Sequence, residues 1–526
     1  MRALGVLTLV AVSAGACGPA QPPPPVIAPP PVVVVAPPVA SAQPVSSAPV
    51  VVDESFREHP PVAETPKTFV PPAGTHGRLR NGIPVLVVHQ ASPFVAIRVD
   101  AMGGVPDVGA DRAEIVSTMM LAFHAGSTTR NIYDIRETYV TLGMQEPETT
   151  WYADAATISF VAPVTKMRTV VELAADFTLH PSLDKMNFER WREQEANRDE
   201  DQGNDAALTA DRVLRRVLFG SHAYGAGVLS AAKTRAVKRP DIVALHGRAF
   251  DPSRLSIVVA GGVDENDVIS ALDDAFGTVT ASGPAGGGGV RVPAAPSGAR
   301  LVVVDKPGTA IAAIATGFVG PAYGAPDVEA STAAVGVLAD TSFGRVTVRL
   351  RQELGDVPWV SPSWSEQRTS GALGWRTRAA TDRVAPALAE ADRIVRAFSA
   401  QGPTEEELVS VRDREVFASA AGFQTAAETA RGWSWALAYG QPDDVILKQP
   451  QRYAALTADT VKSAAAHYLD ADHMRTVIVG DWAKLRGPLV GLAWGSIEVR
   501  NTQGVLLRTE SAPRARESRH ALQAEH

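Results

Sequence analysis

Two stretches of this chain can be laid over each other without a gap, and that constrains the fold more than any other feature. AVKRPDIVALHGRAFDPSRLSIVVAGGV begins at Ala236, and ALTADTVKSAAAHYLDADHMRTVIVGDW begins at Ala455. In register, Val237 stands opposite Leu456, Ile242 opposite Val461, Phe250 opposite Leu469 and Asp251 opposite Asp470. Further on, Leu255 faces Met474, Val258 faces Val477 and Gly261 faces Gly480. Each copy reads as a helix, a short Asp-containing turn, and a buried apolar strand ending in glycine. Pro240 suits a first helical turn, and Thr457 suits an N-cap. Unrelated helix–turn–strand units resemble each other by chance, but a constant offset through both elements points to an internal duplication.

A duplicated chain needs a boundary between its copies. TASGPAGGGGVRVPAAPSGA, from Thr280 to Ala299, has the glycine density of a flexible hinge. It predicts a first domain over 67–282, a hinge over 283–298 and a second domain over 299–500. At the start of the first, Asn81-Gly82 reads as a turn, with strands over Ile83–His89 and Phe94–Ala101. Helical patterns follow at Ala113–Ala125, Ile132–Leu142, Val164–His180 and Met186–Asp199. The expected class is therefore α+β: two homologous domains, each with helices packed on a mostly antiparallel sheet. The charged segment 501–526 reads as a disordered tail.

The N-terminus follows other rules. MRALGVLTLVAVSAGAC joins one positive charge, Arg2, to an apolar run and small residues before Cys17. Residues 1–17 therefore read as a secretory signal. Cys17 is the chain's one cysteine, so no internal disulfide forms. Ala14-Gly15-Ala16-Cys17 resembles a bacterial lipobox, in which the cysteine carries lipid; the plainer alternative is an A-x-A cleavage site that leaves a thiol. With each buried CH₂ worth about 0.8 kcal/mol, several acyl chains anchor a protein durably. Gly18 after the cysteine favours the outer membrane of a Gram-negative cell. Residues 18–66 are proline-rich and predict an extended, disordered linker without a packed core. A net charge of −7 leaves no basic footprint for nucleic acid.

Several motifs, taken together, resemble one family. They are LRNGIPVLVV, the turn GSTTRN opening a helix, LAADFTLHPSLDKMNFER, LFGSHAYGAGVLS and FDPSRLSIVVAGGV in the first half. VVVDKPGT, GFVGPAYGAPD, RLRQELGDVPW, GPTEEELVSVRDR and YLDADHMRTVIVGD follow in the second. None is specific alone. In this order and duplicated, they resemble the insulinase/pitrilysin-type (processing-peptidase-like) zinc metallopeptidases over about Val70–Asp481.

The resemblance implies a zinc site that this sequence does not supply. Active members carry H-x-x-E-H on the first helix after the opening strands, and a glutamate from a later helix completes the set. Aligning Gly126 and Arg130 with the family's turn puts the three motif positions at Ser117, Met120 and Leu121. No H-x-x-E-H occurs anywhere in the chain, and His124 stands alone. The third-ligand position falls at Glu195, with Glu193 and Glu200 as neighbours in a loose register; on so charged a helix a solvated face is the default. Arg351 matches the family's substrate-clamping arginine, while the partnering tyrosine position falls on Pro358, beside Trp359. Pro147 falls where the family offers an edge strand to substrate, which removes a ladder donor. Trp359 and Trp364 are candidates for an inner cavity wall, with Trp375, Trp433 and Trp435 as core.

These departures imply a catalytically inactive member. Family chambers are built from four such domains, and empty chains pair with active ones. The expectation is a membrane-tethered, non-catalytic envelope subunit in a heterodimer with an active zinc metallopeptidase, holding no zinc itself, with peptide substrate in the shared chamber. One alternative is an envelope peptide-binding or scaffold protein that assembles with itself. Another is a divergent active enzyme recruiting Glu195, His124 and His180. Phosphate-loop chemistry is unsupported, since Gly286–Gly289 lacks the following Lys-Ser/Thr; no G-x-S-x-G elbow occurs either.

Overall fold

The computed structural model describes residues 69–123, 126–227, 229–283, 290–354 and 359–511. The signal segment, Cys17, the linker 18–66, His124 and Pro358 lie outside these residues.

The first half runs β1 (Thr75–Arg78), β2 (Pro84–His89), β3 (Phe94–Met102), α1 (Glu114–Ala122) and α2 (Ile132–Leu142). It continues with β4 (Glu148–Trp151), β5 (Ala155–Pro163), α3 (Met167–Leu179), α4 (Lys185–Asn204) and α5 (Ala206–Phe219). α6 (Arg239–Ala249), β6 (Leu255–Gly261) and α7 (Glu265–Ala275) close it. The second half repeats the order: β7 (Leu301–Asp305), β8 (Ile311–Gly320), α8 (Val328–Ala339) and α9 (Arg345–Leu354). Then come β9 (Ser361–Glu366), β10 (Gly371–Ala380), α10 (Val384–Gln401), α11 (Glu405–Ala421) and α12 (Ala426–Ala438). α13 (Ala458–Tyr468), β11 (Arg475–Gly480), α14 (Trp482–Val490), β12 (Ile497–Arg500) and β13 (Leu506–Glu510) complete it.

The two sheets have matching topologies. The first is ordered β1-β2-β6-β3-β5-β4, and the second β13-β12-β7-β11-β8-β10-β9. β6 lies parallel to β2 and antiparallel to β3; β11 lies parallel to β7 and antiparallel to β8. The two gapless sequence copies thus occupy the same place in each sheet. Their helices match as well. Pro240 sits in the first turn of α6, and the Thr457 side chain caps α13 by accepting from Thr460 N. Gly261 has φ 146°, and a Cβ there would meet Phe94 O at 2.5 Å, so the strand ends on a residue without one.

Both faces of each sheet are covered, which is why the middles of β6 (Ile257–Ala260) and β11 (Val477–Val479) are apolar runs rather than alternating patterns. The covering elements are exchanged. One face of the first sheet packs on that half's own helices through Val87, Ile97, Ile158 and Ile257. Its other face, with Leu86, Val88, Ala96 and Val258, packs on Ala426, Ala430 and Trp433 of α12, a helix of the second half. Reciprocally, Ala210 and Val213 of α5 pack on Val302, Ala313, Val477 and Val479 of the second sheet.

Two sequence expectations need correction. The segment from Asn501 is not wholly a disordered tail: Leu506–Glu510 forms β13 against β12. The turn Asn501–Gly504 reverses the chain, and its Asn501 side chain accepts from Gln503 N and Val505 N. Pro147 does not interrupt the edge strand either, because β4 begins one residue later.

Candidate functional site

Ser117, Met120 and Leu121, the positions that the resemblance sets against the family's zinc motif, lie on α1, a short helix set by the residues around it. Val116 and Met119 are fully buried in the first core. The Thr118 hydroxyl turns back to Glu114 O at 2.7 Å, and that of Ser117 at 3.2 Å. Ser117 is buried and Met120 packs in the core, with Leu121 half-buried against it.

α4 lies across α1 and brings Glu195 to Ser117. Glu195 is 4% exposed, so the solvated face expected from its charged neighbours is not where it points. Glu193 takes the outer position, paired to Arg235 at 3.0 Å, and Glu200 faces the same arginine at 3.7 Å. Burial pushes the Glu195 carboxyl up, and the charge of Asp199 one turn on adds to this; the Ser117 hydroxyl and Arg198 act the other way. The Arg198 guanidinium is 3.8 Å away, and Glu195 Oε2 has no hydrogen-bond partner. Asp199 is also buried and pushed up, and its Oδ2 accepts from Thr234 at 2.6 Å.

This donor set does not fit zinc. A catalytic zinc takes three histidine, carboxylate or thiolate ligands and keeps one position for water. The aligned positions present a hydroxyl, a thioether chain held in the core, an isobutyl group and one carboxylate. Among the described residues, no group of three or more His, Cys, Asp or Glu side chains is placed to hold a metal ion. His180, at the end of α3, is exposed.

The second-half candidates are dispersed. Arg351 of α9 folds back to donate to Thr341 O at 2.7 Å and Ser342 O at 3.4 Å. Trp359 is half-exposed with φ 36°, a strained conformation for a bulky residue. Trp364 is exposed on β9, whereas Trp375 and Trp433 are core. Trp435 makes an edge contact with Tyr152 at 4.9 Å and stacks on Tyr439 at 5.3 Å.

Sequence reasoning missed two buried polar nodes that join the halves. Arg98 and Asp100 of β3 are buried, 3.3 Å apart, and both bond the Ser434 hydroxyl of α12. Their signal was visible as a charge pair inside the apolar run Ile97–Ala101. Asp154 accepts from Tyr224 at 3.1 Å and Tyr439 at 3.2 Å. Burial pushes its carboxyl up against those donors and the Arg368 N–H. Nothing local in the sequence announces that cluster, whose members come from distant segments.

Comparisons with known proteins bear on the fold. Residues 236–414 match the family described as "Peptidase M16 inactive domain". No curated protein matches the chain by sequence. Among solved structures, a peptidase M16 inactive domain from Pseudomonas fluorescens superposes with a TM-score of 0.71 at 19% identity, over 78% of this chain and 98% of that one. A protease from Helicobacter pylori gives 0.70 at 14% identity, over 78% and 100%. The periplasmic protease PqqL from Escherichia coli gives 0.65 at 15% identity, over 84% of this chain but 49% of that one. Residues 236–414 are thus similar to the peptidase M16 inactive domain, and the chain shares the fold of the solved M16 inactive-domain structure.

Proposed function

We propose that this chain is the non-catalytic subunit of an envelope metallopeptidase assembly, a lipid-anchored protein that supplies chamber wall to an active zinc-bearing partner. One observation carries the reading: α1 and α4 still meet at Ser117 and Glu195, but positions 117 and 121, where the family's motif has its histidines, hold serine and leucine. Retained architecture with a donor set unfit for zinc is what a wall-forming partner keeps.

Size supports a second chain. This chain spans about half of the Escherichia coli periplasmic protease it superposes on. A chain of Complex III2 from Candida albicans also shares the fold, with a TM-score of 0.65 at 11% identity, 79% of this chain and 99% of that one being covered. No helix among the described residues is long and apolar enough to cross a membrane. The proposed anchor is therefore Cys17, with the proline-rich segment 18–66 as its spacer. On this reading the body faces the periplasm from the outer membrane.

The test is recovery of tagged, full-length protein from its native membranes in detergent, with mass spectrometry of what accompanies it. A near-stoichiometric homologue bearing H-x-x-E-H, with zinc and peptidase activity travelling with it, is the expected outcome. A homo-oligomer without such a partner would replace this reading with that of an envelope scaffold or peptide-binding protein.

A further inference from the structure

Where β11 begins, the segment before β7, helix α10, the turn before β11 and the loop after α14 enclose a cleft of ≈ 830 Å³. Its walls include Arg300, Asp392, Arg396, His473, Arg475 and Trp494. Arg475 is 6% exposed. Its Nη1 donates to Met474 O at 3.3 Å and Asp472 O at 3.5 Å, and its Nη2 to Pro296 O at 3.1 Å. All are neutral carbonyls. Its Nε is buried without a hydrogen-bond partner, and no carboxylate among the described residues forms an ion pair with it. Burial and the charge of Arg300 both weaken its hold on its proton.

The neighbouring charges do not compensate. Asp392 accepts from Arg300 at 2.7 Å and from Arg396 at 2.8 Å, and Asp472 is bonded to Arg396 at 2.6 Å. The ring of His473 is taken by Asp470 at 2.7 Å. The two carboxylates are thus engaged by Arg300 and Arg396, which leaves Arg475 as a third guanidinium beside them, and a guanidinium does not shed its charge. The Arg300 Nε is likewise buried and unpartnered, while its guanidinium lies over the Trp494 ring at 4.3 Å.

The fold itself does not demand a cation here. In the aligned first copy, the residue at the place of Arg475 is Ser256, neutral and also buried. An arginine that is buried, uncompensated and particular to one copy is placed for a ligand.

We propose that this cleft binds a small oxyanion, a phosphate or a carboxylate group, held by Arg475 and Arg300 with Trp494 as its apolar wall. The planar guanidinium offers paired N–H donors that match two oxygens of one such group.

The test is calorimetric titration of the full-length protein in detergent, with inorganic phosphate and acetate in separate arms and ionic strength held with sodium chloride. Saturable one-to-one binding of either anion is expected, and the stronger arm tells which source the site suits. Arg475→Gln should weaken it at least tenfold. Should that variant not fold, Arg396→Gln decides: its side chain is 45% exposed, and losing it leaves two carboxylates against the anion. A threefold or greater loss supports the site. Heat indistinguishable from that of sodium chloride, or unchanged affinity in whichever variant folds, overturns it.

Discussion

Arg98 of β3 and Ser434 of α12 come from opposite halves of the chain and meet in a 2.8 Å hydrogen bond with both side chains buried. Ser434 also donates to Asp100 at 2.7 Å, so one hydroxyl serves both members of a buried ion pair. The pair sits on the sheet face that α12 covers.

Ser434→Ala should therefore cost more than a surface change. It strips a donor from Asp100 and an acceptor from Arg98 in a place buried from solvent, at about 1–3 kcal/mol. In urea unfolding the midpoint should fall with an unchanged slope. A shift below about 0.5 kcal/mol, the range of ordinary surface substitutions, would contradict a stabilising role for the node.

The exchange of α5 and α12 makes the halves interdependent. A chain cut at a protease site introduced between Gly286 and Gly287 should still elute as one species under native conditions and separate only in denaturant. Residues 67–283 produced alone should aggregate, because Leu86, Val88, Ala96 and Val258 lose their cover. Elution of two independent monomers after the cut would refute the interdependence.

Glu195 predicts a pH-dependent effect. Its folded pKa is raised above the ordinary 4.5, so folding favours the neutral carboxyl. The stability this group contributes is complete below that ordinary value and is lost as pH rises through the raised one. Glu195→Gln stays neutral throughout. Its Tm should exceed that of the unmodified protein at pH 8, and the two should converge near pH 4.5. A difference independent of pH would show that Glu195 is not desolvated as described.

Metal binding can be asked directly. After metal removal and reloading, the unmodified chain should retain almost no zinc. The combination Ser117→His, Met120→Glu and Leu121→His sets two histidines on one face of α1 opposite Glu195, and should take up about one zinc per chain. Atomic emission on dialysed samples measures both. Zinc retained by the unmodified chain would undo the non-catalytic reading. A folded triple variant without zinc would show that these are not the ligand positions.

Much of this was legible residue by residue. The two copies at constant offset revealed equivalent helix–strand units, and β6 and β11 occupy equivalent places because similar patterns of apolar residues bury in similar ways. Asn81-Gly82, where Gly82 N donates to Leu79 O at 2.8 Å, and Pro240 and Thr457 announced their turn and helix starts through local backbone chemistry, which needs no distant partner. The absence of histidines at positions 117 and 121 was also plain.

Other features had no local signature. Strands apolar on both faces say that two layers cover them, but not that one layer comes from the other half; only tertiary packing decided that α12 lies on the first sheet. Charge density on α4 suggested solvent for Glu195, yet helix orientation turned Glu193 outward and Glu195 inward. Arg475 read as one more arginine beside a strand until the fold buried it near Arg300 at the wall of a cleft. Periodicity and turn chemistry are properties of neighbours in sequence, so the sequence by itself determined the elements and their repetition. Burial and pairing are properties of neighbours in space, so the tertiary structure alone decided which charges share a site.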